Sequence, residues 1–144
     1  MNVFHKLVSG ILLTLLVFAS CPISKKAAST TGNEWFVSEN GTGTDCSRSH
    51  PGPLQDCVEK AQSGDTVYVG EGFYRNDDPN NLVYIDKSLR LLGSCTCDPT
   101  APVVCSPQEM SSRLDGEYER RVIAIEGPDI SVTIEGFQIY QGNA

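Results

Sequence analysis

The sequence predicts an all-β solenoid of stacked strand–turn units, opened by one helix. Two observations carry this expectation. Short apolar strands recur, each closed by a glycine turn: Val122-Ile123-Ala124-Ile125 before Glu126-Gly127, Val132-Thr133-Ile134 before Glu135-Gly136, and Phe137-Gln138-Ile139-Tyr140 before Gln141-Gly142. Such repetition marks units that stack on their neighbours, whereas sandwich hairpins favour Asn-Gly or Asp-Gly turns. The second observation is a single helical pattern early in the chain, placed to cover the first unit.

The 144 residues are a prior for one domain. No Asp or Glu precedes Glu34, and Lys6 leads into the apolar run Leu7 to Ala19. That pattern reads as an export signal, too short for the roughly 20 residues of a membrane span. Val17-Phe18-Ala19 fits cleavage after Ala19, so residues 1–19 are taken as the signal. Cys21 behind Phe18-Ala19-Ser20 is also a lipidation candidate, although Phe18 stands where lipoprotein sites prefer Leu. Residues 20–34 read as a flexible linker, and 35–144 as the folded part.

Within the folded part, Trp35-Phe36-Val37-Ser38 reads as a strand, ended by the turn formers Asn40-Gly41-Thr42-Gly43. Pro53 suits a first helical position. Leu54, Cys57, Val58 and Ala61 then recur at helical spacing, so a helix is expected over 53–63. Gly64 supplies a left-handed residue to end it. Strands follow at Thr66-Val67-Tyr68-Val69, Phe73-Tyr74, Val83-Tyr84-Ile85 and Leu89-Arg90-Leu91-Leu92, the last closed by Gly93. A long insert from Ser94 to Glu119 precedes the glycine-closed strands of the last third.

Export makes the six cysteines readable as disulfide candidates. Cys46 and Cys57 flank a Pro/Gly-rich turn, and a bridge between them would staple a loop to the helix. Adjacent Cys-x-Cys side chains rarely pair with each other. Cys105 is therefore expected to bridge Cys95 or Cys97, leaving one thiol for Cys21 or another chain. A zinc site of Cys95, Cys97, Cys105 and His50 is the competing reading, disfavoured in an oxidising compartment.

A longer series of motifs resembles a known family. Gln62-Ser63-Gly64-Asp65-Thr66-Val67-Tyr68-Val69, Gly72-Phe73-Tyr74 and Ile85-Asp86-Lys87-Ser88-Leu89-Arg90-Leu91-Leu92-Gly93 are similar to the opening of secreted right-handed parallel β-helix (pectin-lyase-like) proteins. Leu114-Asp115-Gly116 and Val132 to Ile139 continue the series. The resemblance spans about Trp35 to Ala144 and implies a right-handed parallel β-helix whose first coil is capped by the helix. The long insert departs from it. The ending at Gln141-Gly142-Asn143-Ala144 carries no closing cap, so the chain is expected to be the N-terminal portion of a longer β-helix, with missing downstream coils or another chain at its open end.

A formal charge of -7 argues against nucleic-acid binding. No catalytic residue, cofactor site or metal site is assigned; calcium is conceivable in this family but no acidic cluster supports it. Asp77-Asp78 sits among turn formers and reads as a solvated turn ahead of a calcium loop or catalytic acids. Glu126 and Glu135 each precede a turn glycine at a strand end and could align on one face, with a turn role preferred. Arg120-Arg121 reads as an exposed pair, and His50 beside a disulfide is a poor triad base. Tyr68, Tyr74, Tyr84 and Tyr140 are candidate sugar platforms, with a plain strand role preferred. Asn40-Gly41-Thr42 matches the glycosylation pattern. The expected function is a secreted or cell-surface module, non-catalytic in this segment, binding extracellular polysaccharide or cell-surface components or serving a structural, adhesive role. The alternative is the front of a polysaccharide lyase or glycoside hydrolase whose active coils lie beyond Ala144.

Overall fold

A computed structural model describes residues 32–143. The signal, the Cys21 lipidation candidate and most of the expected linker therefore lie outside the described residues. Nine strands and one helix follow in the order β1 (Glu34–Val37), α1 (Leu54–Lys60), β2 (Thr66–Gly70), β3 (Gly72–Tyr74), β4 (Asn81–Ile85), β5 (Leu89–Cys95), β6 (Ser112–Asp115), β7 (Arg121–Ile125), β8 (Val132–Glu135) and β9 (Phe137–Tyr140).

All pairing between these strands is parallel and long-range. One sheet runs β1-β2-β5-β8, a second β3-β6-β9, and a third β4-β7. This corrects the expected right-handed parallel β-helix. The described residues form three separate small parallel sheets and one short helix, and not a closed solenoid. Recurrent strand-turn units report which strands can pair in parallel, but a continuous coil also needs regular passage from sheet to sheet. Here the β2–β5 register shifts between Tyr68 and Gly70, and the chain from Thr96 to Ser111 separates β5 from β6.

The core is built from the inward side chains of these sheets. In the four-stranded sheet, Trp35, Val67, Leu91 and Ile134 stand in register across the strands. Val37, Val69, Val83, Ile85, Leu91 and Leu114 are fully buried in one apolar cluster. At roughly 1.5–3 kcal/mol for each large side chain buried, this cluster supplies most of the folding drive. Parallel sheets are commonly covered on both faces, which accounts for the near-continuous burial of β5, broken only at the exposed Arg90.

Helix α1 is shorter than its apolar pattern. Ala61 is already extended, at φ -60 and ψ 148. The cause lies in Asp65, whose carboxylate accepts the Gln62 N–H at 2.8 Å and so draws that residue out of the helical turn. The Cys46–Cys57 disulfide ties α1 to the preceding loop, as the spacing anticipated. Strand β6 lies inside the stretch expected to be an insert. Ser112 is fully buried there because its hydroxyl accepts the Ser94 N–H at 2.7 Å and donates to the Gly70 carbonyl at 2.6 Å. A serine in a core row carries no apolar signal, so the strand is invisible to periodicity.

Candidate functional site

The cysteines resolve first. Cys95 bridges Cys105, and Cys97 is the free thiol among the described residues. With two of its three sulfurs consumed, the zinc reading is not assembled, and no group of three or more metal-ligating side chains occurs among the described residues. Cys97 is half-buried, its Sγ 3.7 Å from the Val37 carbonyl. Burial pushes its thiol upward, against the opposing pull of Arg48. No helix among the described residues is long and apolar enough to cross a membrane.

An open cleft of about 650 Å³ lies over the loop that carries Asp45, Ser49 and His50. Its geometry does not make a triad. Ser49 Oγ is 3.1 Å from Nδ1 of its own neighbour His50, while Asp45 is occupied by the Ser47 backbone N–H. Hydrogen bonding by the Ser47 side chain is the main cause that holds the Asp45 carboxyl below its ordinary value, against desolvation. The serine is therefore attached to the nitrogen that an orienting acid would need. Asn40 and Thr42, the glycosylation candidate, are exposed on the rim of this cleft.

The paired acidic candidates separate. Asp78 Oδ1 accepts the backbone N–H of Asn80 at 2.7 Å and of Asn81 at 3.1 Å, which lowers its carboxyl and fixes the turn. Glu126 follows β7 and receives the Tyr84 hydroxyl at 3.5 Å, whereas Glu135 ends β8 opposite Leu92. They belong to different sheets and share no site. Among the tyrosines, Tyr74 is a correction: it is buried, its hydroxyl donating to the Gly70 carbonyl at 2.8 Å, and desolvation raises its pKa strongly. Tyr68 stacks on Phe36 at 5.4 Å between centroids and donates to Glu34. Tyr84 and Tyr140 are exposed.

Arg120 is a second correction. It is 7% exposed, not a surface partner of Arg121. Its guanidinium donates to the Asn76 backbone carbonyl and meets Glu117 at 3.3 Å and Glu119 at 3.1 Å. Two carboxylates and a carbonyl are what keep such a charge affordable inside the protein. Beside it Asp115, also buried, binds Arg75 at 2.7 Å and accepts the Glu117 N–H; that backbone bond is the main reason its carboxyl is lowered.

Of these residues, Glu119 and Arg120 wall a small cleft of about 250 Å³ between the turn at 79–81 and the segment at 119–121, with Asn143 closing it. Two polar atoms on its lining residues, Arg120 Nε and Asn81 Oδ1, have no hydrogen-bond partner among the described residues, but both are covered by their neighbours and do not themselves open into the cleft. The cleft is the candidate site on its lining, in which amide and guanidinium side chains of Asn80, Asn81, Arg120 and Arg121 come together. Asn80, Asn81 and Asn143 were missed from sequence because asparagines in turns read as turn chemistry.

The fold and site thus define a disulfide-stapled, parallel-sheet chain with polar clefts. No known protein family, no curated protein and no solved structure matches it.

Proposed function

We propose that this chain is an extracellular module, non-catalytic in this segment, that holds a carbohydrate hydroxyl cluster in the Arg120–Asn81 cleft. The observation that carries the reading is the lining of that cleft, where the amides of Asn80 and Asn81 meet the guanidinium groups of Arg120 and Arg121. A sugar hydroxyl both donates and accepts, so vicinal hydroxyls suit a lining that mixes amide oxygens with amide and guanidinium N–H groups. Asn80 and Arg121 add further donors on the rim. The cleft holds the equivalent of about eight waters at ~30 Å³ each, a size suited to one ring and not to a chain of rings. Two disulfides and the export-type N-terminus support an extracellular setting.

Titration calorimetry against a panel of neutral and acidic oligosaccharides tests the reading. Binding that weakens at least tenfold in Asn80→Ala and Arg121→Ala is expected; silence across the panel removes the proposal. Release of unsaturated product from polygalacturonate with calcium would overturn its non-catalytic part.

A further inference from the structure

The sequence contains one Asn-x-Ser/Thr pattern, Asn40-Gly41-Thr42, which the function proposed above does not use. The structure divides this loop into two kinds of residue. Gly41 and Gly43 lie against the backbone of the 50–52 segment. A Cβ on Gly41 would stand 2.6 Å from the carbonyl oxygens of Pro51 and Gly52, and one on Gly43 would overlap the His50 carbonyl. The Gly41 N–H donates to the Ser38 carbonyl at 2.9 Å, closing a turn, and the Gly43 N–H donates to the Pro51 carbonyl at 2.9 Å. Packing therefore dictates both glycines.

Asn40 and Thr42 have no such task. Both are exposed, and neither side chain makes a hydrogen bond among the described residues. Turns favour asparagine where the backbone is left-handed or where its side chain bonds a nearby backbone group. The Asn40 backbone is not left-handed, and its amide bonds nothing in the turn. Both residues line the open cleft of about 650 Å³ beside the loop, so a bulky group on Asn40 Nδ2 has room without displacing packed side chains.

We propose that Asn40 is a site of N-linked glycosylation. The modification needs a free carboxamide, a hydroxyl two residues on, and a middle residue other than proline. The loop offers all three on its exposed side. The donor is an oligosaccharide linked to a lipid diphosphate. A bond forms between Asn40 Nδ2 and C1 of the first sugar, the C1–O bond to the diphosphate breaks, the lipid diphosphate leaves, and Nδ2 gives up a proton to the transferase. The order of synthesis favours the step. Asn40 emerges ahead of Pro51, whose carbonyl pins the loop, so the tripeptide is still unpinned when the transferase meets it. The inference rests on the extracellular setting proposed above and is independent of the Arg120 cleft.

The test is expression of the full chain through a eukaryotic secretory pathway, with intact mass measured before and after treatment with a peptide-N-glycosidase. The expected product carries a single glycan, which the glycosidase removes, leaving a carboxylate at position 40. Asn40→Gln and Thr42→Ala are each expected to abolish the glycan. Thr42→Ser keeps the hydroxyl and is expected to retain it at reduced occupancy. Thermal unfolding of Thr42→Ala is expected to match that of the glycosidase-treated chain, because Thr42 has no bond to lose. An exported chain without a glycan, a glycan that survives either abolishing replacement, or complete loss of the glycan in Thr42→Ser overturns the proposal. A Thr42→Ala chain that unfolds well below the treated chain overturns it equally, by giving Thr42 a structural role.

Discussion

The side-chain amide of Gln55 is bonded at two points to the backbone of Tyr84: its Oε1 accepts the Tyr84 N–H at 2.9 Å and its Nε2 donates to the Tyr84 carbonyl at 3.4 Å. A glutamine on α1 thereby takes the place that a neighbouring strand would hold on β4. Helix and sheet are joined by a peptide-like contact as well as by apolar packing.

Replacing Gln55 with Leu keeps the bulk and removes both bonds. The expected cost is about 1 kcal/mol, because the freed Tyr84 groups are accessible to water. Amide exchange at Tyr84 is expected to accelerate by more than the global stability loss explains. Unchanged exchange there would show that the pairing is dispensable.

Asp65 should govern acid stability. It is buried, and that desolvation favours the neutral form, yet the N–H groups of Gln62, Trp35 and Asn33 outweigh it and hold the carboxyl low. A carboxylate whose folded pKa is depressed stabilises the fold above its unfolded pKa near 3.9, and the contribution fades as pH falls through the lower folded value. Asp65→Asn is expected to lose about 2 kcal/mol at pH 7. Thermal unfolding of the two proteins should converge as the buffer is taken well below pH 4.

Ser112 couples two strands by one hydroxyl. Ser112→Ala leaves the buried Ser94 N–H without its acceptor, at an expected cost of about 1–3 kcal/mol. Tyr74→Phe makes the comparison: it removes one donor from the Gly70 carbonyl, which Ser112 continues to serve. The serine change is expected to lower the denaturant midpoint more. The reverse order would mean the Ser94 N–H finds another acceptor.

The Cys46–Cys57 bridge spans a separation of 11 residues and should contribute about 2–4 kcal/mol. The double replacement Cys46→Ala with Cys57→Ala is expected to lower stability by that amount. Cys97, half-buried with its thiol pushed up, should alkylate slowly at neutral pH and faster once the chain is unfolded. Equal labelling rates in both states would contradict its burial.

Much of the strand order was legible because Val67, Leu91 and Ile134 belong to apolar runs whose alternation survives long-range pairing. The Cys46–Cys57 bridge was legible as a candidate, from the export-type N-terminus and the Pro/Gly-rich turn between the two cysteines. Architecture was not legible: recurrent strands announce parallel partners, but not whether the passages between sheets close a coil. Strand β6 was marked in sequence only by Leu114-Asp115-Gly116 within the family resemblance; periodicity missed it because Ser112 is buried by hydrogen bonds and Asp115 by an ion pair. The cleft escaped for a related reason. Arg120 looks like any surface arginine until Glu117, Glu119 and the Asn76 carbonyl are folded around it, and nothing local in Asn80-Asn81 distinguishes a lining residue from a turn.

The stretch between β5 and β6 is fastened at its root. Cys95 is joined to Cys105, and just inside that bond Thr96 and Val104 exchange backbone and hydroxyl hydrogen bonds at 2.8 and 3.1 Å. What lies beyond, from Cys97 to Val103, hangs from a closed neck. Changes in its length or composition, apart from Cys97, need not be transmitted to the sheets, since closing a longer loop costs only about 0.6 kcal/mol per doubling. Insertions between Pro99 and Val103 are therefore expected to leave the thermal unfolding of the sheets nearly unchanged, because the neck at Cys95–Cys105 stays closed.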